Sequence, residues 1–118
     1  MEAMELVVHL QPFRFDAEVR GSLTVLRLKG ELDMAAAPAL SDAFHRLQHE
    51  GAQEIVVDLR ELSFLDSMGL CALVDAYGAG RDGHRRVSFV AGGRSIHRVF
   101  QLTKMDERVT WVEPPEPV

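Results

Sequence analysis

Cysteine occurs once in these 118 residues, at Cys71, so no intramolecular disulfide can staple the chain. No apolar run approaches the roughly 20 residues that a membrane-spanning helix needs. The N-terminus lacks the basic, apolar, small-residue order of a secretory signal, and the cytoplasm is the expected compartment. Also missing are the Gly-x-x-x-x-Gly-Lys-Ser/Thr phosphate loop, the Gly-x-Gly-x-x-Gly dinucleotide fingerprint and the Gly-x-Ser-x-Gly nucleophile elbow. The common nucleotide and hydrolase readings lose their support, and neither a cofactor nor an enzymatic activity is expected. Basic excess is missing too: the formal net charge is -5, which favours solubility and argues against direct contact with nucleic acid.

Metal and thiol chemistry are thinly supported. Of the five histidines, only His45 and His49 stand at i and i+4 of a helical pattern, and a solvated helix face explains them better than a shared metal. Cys71 lies early in an apolar helical stretch, where a free cysteine usually behaves as a small hydrophobe. Arg81, His84, Arg85 and Arg86 surround a turn and read first as a solvated edge.

What is present is the material of one ordinary domain. The length suits a single core, and 47% hydrophobic with 26% charged residues rules out general disorder. Phe13, Phe15 and Ala17 alternate with polar residues up to Gly21-Ser22, after which Leu23, Val25, Leu26 and Leu28 form a second strand ending at Gly30. The pair predicts a hairpin. Leu40, Phe44 and Leu47 then share a helix face, with Pro38 confined to the first turn and Gly51 as the stop. Ile55, Val56 and Val57 mark a strand buried on both faces.

Leu70, Leu73, Val74 and Tyr77 return to helical spacing, which the glycines at 78 and 80 are expected to end. "RRVSFVAGG" reads as another buried strand, Ser95 as the N-cap of a helix presenting Ile96, Val99 and Phe100, and "RVTWV" as a short last strand. Residues 1–12 and the proline-containing residues 113–118 read as tails. Helices between buried strands require right-handed crossovers and a partly parallel sheet, while the opening hairpin adds antiparallel pairing.

The stretch "SFLDSMGLCALV" joins a buried strand to a helix. Asp66 or Ser67 is the expected N-cap, a structural role that these residue types fill in many unrelated proteins. Ser67 would then stand at the end of a central strand, where open sheets commonly place functional groups. Gly69 is a poor helix former in the first turn, and its missing side chain lets another backbone approach closely.

"LKGELDMAAAPAL", followed about thirty residues later by "IVVDLRELSFLDSMGLCALV", resembles the STAS domain, in particular the bacterial anti-sigma factor antagonists. The resemblance runs from about Phe13 to Val112 and implies one α/β STAS-like domain over residues 13–112, a mixed β-sheet with helices packed largely on one face. It implies that Ser67 is phosphorylated by an anti-sigma factor that is itself a serine kinase, and that a serine phosphatase reverses the step. Asp66 and Gly69 belong to the implied docking surface. Asp33, in "GELD", matches the family's aspartate after the second strand; without the resemblance it would simply cap the following helix. Met68 departs from relatives that carry a second serine or threonine there, and it adds an adaptable apolar contact. The implied mechanism is partner exchange: the unphosphorylated chain binds the anti-sigma factor and releases a sigma factor. The alternative within the family is an unphosphorylated STAS subunit of a phospholipid-transport ABC system. Monomer and weak dimer both remain open.

Overall fold

The structure is a computed structural model that describes residues 12–117, so all of the expected N-terminal tail except Pro12 lies outside the described residues. Strand β1 (Arg14–Arg20) turns at Gly21-Ser22 into β2 (Leu23–Leu32), and the two pair antiparallel with Arg20 opposite Leu23. A loop of two residues needs a left-handed backbone, which Gly21 supplies at φ 63. Next come α1 (Ala37–His49), β3 (Glu54–Leu65), α2 (Ser67–Asp82), β4 (Arg86–Val90), α3 (Arg94–Leu102) and a 3₁₀ turn at Met105–Glu107. The sheet order is β1-β2-β3-β4, with β2, β3 and β4 parallel, as the crossover reasoning predicts.

Alternation along the strands sorts the two sheet faces. Leu26 and Leu28 of β2, Ile55, Val57 and Leu59 of β3, and Val87 and Phe89 of β4 share one core with Leu40 and Phe44 of α1, Leu73 of α2 and Phe100 of α3. The other face bears ion pairs: Arg27 joins Glu18 at 2.9 Å and Asp16 at 3.4 Å, and Arg60 joins Asp58 at 2.8 Å. Yet Val25, Val56 and Val90 on that face are buried as well. The chain after Trp111 is tied to both edges of this sheet. The Val112 N–H donates to the Phe89 carbonyl on β4, and the Glu116 carbonyl accepts from Arg20 Nη1 on β1 at 2.6 Å. Residues 112–116 therefore form a strap that crosses from one sheet edge to the other, with Pro115 half-buried.

Several elements depart from the sequence expectations, each for a local reason. β3 runs well beyond the Ile55–Val57 run, to Leu65, because register shifts opposite Lys29 and Glu31 let β2 and β3 keep pairing up to Leu32 and Leu65. Gly30, at φ 83, lies at one of these irregularities rather than at the strand end. α2 does not stop at Gly78 or Gly80. Gly80 is buried where an added Cβ would stand 2.3 Å from Val87 Cγ2, so it serves close packing on β4. The N-cap of α3 is Gly93, which leaves Ser95 exposed in the first turn. "RVTWV" forms a single bridge, Trp111 to Phe89, since the chain enters from the 3₁₀ turn and leaves through prolines that cannot donate to a ladder.

Candidate functional site at the junction of β3 and α2

β3 delivers Asp66 to the first turn of α2, and its extended backbone (φ -101, ψ -179) makes it the N-cap. The choice left open between Asp66 and Ser67 is thereby resolved. Asp66 Oδ1 accepts the Gly69 N–H at 2.8 Å, satisfying one of the helix's free donors. Its second oxygen, Oδ2, accepts the Met34 N–H at 3.1 Å. One carboxylate thus holds the helix start and the loop after β2 together.

Relieved of capping, Ser67 occupies the first helical position and is exposed. Among the described residues no hydrogen bond engages its hydroxyl, and nothing in the fold requires that oxygen. A phosphoryl group there would stand at the positive end of the α2 dipole, within reach of free backbone N–H groups, and also beside the Asp66 carboxylate.

Asp33 is half-buried and does not cap α1, whose N-cap is Ala36 with no side-chain bond. Instead Asp33 Oδ1 and the Asp33 carbonyl both receive the Ala36 N–H, at 3.0 and 3.1 Å, and the carbonyl also accepts from Ala37. Asp33 therefore shapes the turn that presents Met34. Gly69 is buried against the chain's own Leu32: an added Cβ would stand 2.4 Å from the Leu32 carbonyl oxygen. The close backbone approach expected at Gly69 is made by β2, and its part in any docking surface is to set the junction rather than to touch a partner.

Around the serine the surface is apolar. Met68 is 49% exposed, Met34 68% and Phe64 46%. Sequence reasoning identified Met68 and missed the other two. Met34 carried a usable signal, a large apolar residue directly after a turn-forming aspartate. Phe64 carried none, because its outward orientation follows from the register shifts in β3. Cys71, expected to behave as a small hydrophobe, is exposed one turn after Ser67. Among the described residues no group of three or more His, Cys, Asp or Glu could hold a metal ion, and no helix is long and apolar enough to cross a membrane.

An exposed serine on a helix start, following an aspartate that ties that helix to the loop after β2, on a mixed sheet with helices on one face, fits a domain of the STAS type. The chain belongs to the STAS domain family, whose sequence model matches residues 14–116. It is 26% identical over 82 residues to the anti-sigma-B factor antagonist of Staphylococcus aureus, covering 70% of this chain and 76% of that one. The crystal structure of an anti-sigma factor antagonist from Mycobacterium paratuberculosis superposes with a TM-score of 0.77 at 28% identity, covering 88% of this chain and 87% of the other. The Bacillus cell fate determinant SpoIIAA in its phosphorylated form shares the fold at a TM-score of 0.67 and 23% identity, over 89% of this chain and 93% of the other.

Proposed function

We propose that this chain is an anti-sigma factor antagonist switched by phosphorylation of Ser67. The observation that carries the reading is the Ser67 hydroxyl, exposed and free of structural duty beside Asp66, Met34 and Met68. The names borne by its relatives supply the partner class. Unphosphorylated, the chain docks on an anti-sigma factor that is also a serine kinase, through Met34, Met68 and the Asp33 and Asp66 turn, and a sigma factor is released. Its role in the phosphoryl transfer is that of substrate, in the cytoplasm, with a serine phosphatase restoring the active form.

Phosphorylation adds about -1.5 to -2 charges beside Asp66, in a surface that must lose water on docking. Repulsion and desolvation both oppose the complex, and a loss of about 3 kcal/mol weakens binding roughly a hundredfold. The phosphate's favourable position at a helix start acts on the free domain, so the fold survives while the complex does not.

The experiment is to incubate the chain with its anti-sigma kinase and ATP, map the phosphate by mass spectrometry, and compare Ser67→Ala with Ser67→Glu in binding. Ser67→Ala binds constitutively and Ser67→Glu binds poorly. Equal binding by the two variants removes Ser67 as the switch.

A further inference from the structure

The free edge of β4 is only half covered. The Phe89 N–H donates to Thr110, and the Phe89 carbonyl accepts from Val112, both at 2.9 Å. Arg86 instead donates its N–H toward β3, to Gln53, at 3.0 Å. Backbone groups point alternately to the two sides of a strand, so Val87 turns its N–H and C=O away from β3, to the same side as Phe89. Among the described residues no backbone or side-chain hydrogen bond engages either group. Strand edges of this kind are templates for a further strand.

Beside Val87 lie two adjoining cavities of about 500 and 470 Å³ that share Tyr77 and Arg81. Arg81, Arg85, Arg86 and Arg108 line them against two carboxylates, Glu54 and Asp82, so the rim is cationic on balance. Arg81, over the Tyr77 ring at 5.8 Å, and Arg108 have no carboxylate at ion-pair distance among the described residues. Arg86 has only Glu54, at 3.4 Å, and its side chain is 81% exposed. Arg85 is committed elsewhere, donating to the Ala52 and Gln48 carbonyls at the end of α1. Three available arginines along one groove invert the sign of a chain whose net charge is -5.

We propose that this groove receives an extended acidic segment of a partner protein, added as a strand on the Arg86–Ser88 edge of β4. Val87 supplies one main-chain donor and one acceptor, and carboxylates on two successive residues of the segment, which point to opposite faces of the sheet, meet Arg81 on the helix side and Arg86 on the other. Arg108 serves the segment's continuation into the second cavity. A compact anion could neutralise the arginines but would leave the Val87 groups unused. Arg86 lies level with Glu54 at the start of β3, whereas Ser67 follows its far end, roughly 35 Å away at about 3.3 Å per residue. The groove therefore stands independently of the Ser67 reading.

The test uses the isotopically labelled full chain and a short capped peptide of Glu-Glu pairs separated by Val, with amide NMR and hydrogen exchange as readouts. At saturation the Val87 amide shifts and its exchange slows at least about tenfold. Binding weakens with added salt. Arg81→Gln combined with Arg86→Gln weakens it by about tenfold or more, with the melting curve unchanged. A peptide carrying Lys in place of Glu does not bind. No change at Val87 overturns the proposal. Arginine-dependent binding without Val87 protection, matched by inorganic triphosphate, overturns it in favour of a simple anion site. Val87 protection that grows with protein concentration in the absence of peptide overturns it in favour of a second copy of this chain.

Discussion

The Asp66 carboxylate receives the backbone N–H of Met34, thirty-two residues earlier in the chain, at 3.1 Å. Because its other oxygen caps α2 through Gly69, the position of Met34 and the start of the helix that carries Ser67 are set by one side chain. Asp66→Ala removes the cap and is expected to cost about 1–2 kcal/mol. Asp66→Asn keeps one acceptor oxygen but must turn its amide nitrogen toward one of two backbone donors. A binding titration against the anti-sigma factor, paired with urea unfolding, separates the effects. The Asn variant loses more in binding than in stability, and an unaltered binding constant would show that the Met34 loop is not part of the docking surface.

Gly69 is irreplaceable on steric grounds. A methyl group 2.4 Å from the Leu32 carbonyl oxygen and 2.9 Å from Leu32 Cγ forces β2 and α2 apart. The strain is expected to outweigh the helix propensity gained, with Gly69→Ala destabilising by about 1–3 kcal/mol. Thermal unfolding measures the loss.

Gly78 and Gly80 lie on the same helix and should answer to alanine with opposite signs. Nothing stands within 4 Å of a Cβ added at Gly78, whereas one added at Gly80 would meet Val87 Cγ2 at 2.3 Å. Gly78→Ala is expected to stabilise by about 0.5–1 kcal/mol through helix propensity and a less flexible unfolded chain. Gly80→Ala is expected to destabilise by overpacking. Equal shifts in denaturation midpoint for the two would contradict the packing of α2 on β4.

Acid should loosen the outer sheet face. Hydrogen bonds from Arg20 and then Arg27 draw Glu18 down from 4.5 to about 2. Burial pushes the Asp58 carboxyl up, but the hydrogen bonds from Arg60 outweigh it, so that group also lies below its ordinary value. Depressed folded-state values mean that the stabilisation is complete above the unfolded-state pKa and is lost as pH falls through the folded-state one. For Glu18 the window runs from about 4.5 down to about 2. Stability measured across that window falls, and Glu18→Gln flattens its share of the slope.

Much of this architecture was legible before any coordinates. The β-branched run at Ile55 and the helical spacing of Leu40, Phe44 and Leu47 each reported a burial pattern that the fold then used, whereas the period-two run of the hairpin marked its first strand although Phe15 and Ala17 stay exposed there. Asp66 and Ser67 were legible as a junction, because capping chemistry is local. What stayed hidden depended on contacts distant in sequence. Gly80 resembles a helix stop until Val87 is placed against it, and the tie between Asp66 and Met34 spans a helix and a strand. Phe64 turns outward only because β2 and β3 slip in register. Arg85 and Arg86 are neighbours in sequence, yet one closes the end of α1 and the other remains available.

The strap formed by residues 112–116 bears on the order in which the protein is made. Arg20 leaves the ribosome nearly a hundred residues before the Glu116 carbonyl that it binds. Pairing between the strands can proceed during synthesis, but the tie between the two sheet edges waits until residues 112–116 arrive. Translation that stops at Trp111 would release a chain with every helix and strand in place and the β4 edge deprived of its Val112 partner, a product suited to aggregation and to recognition by quality control.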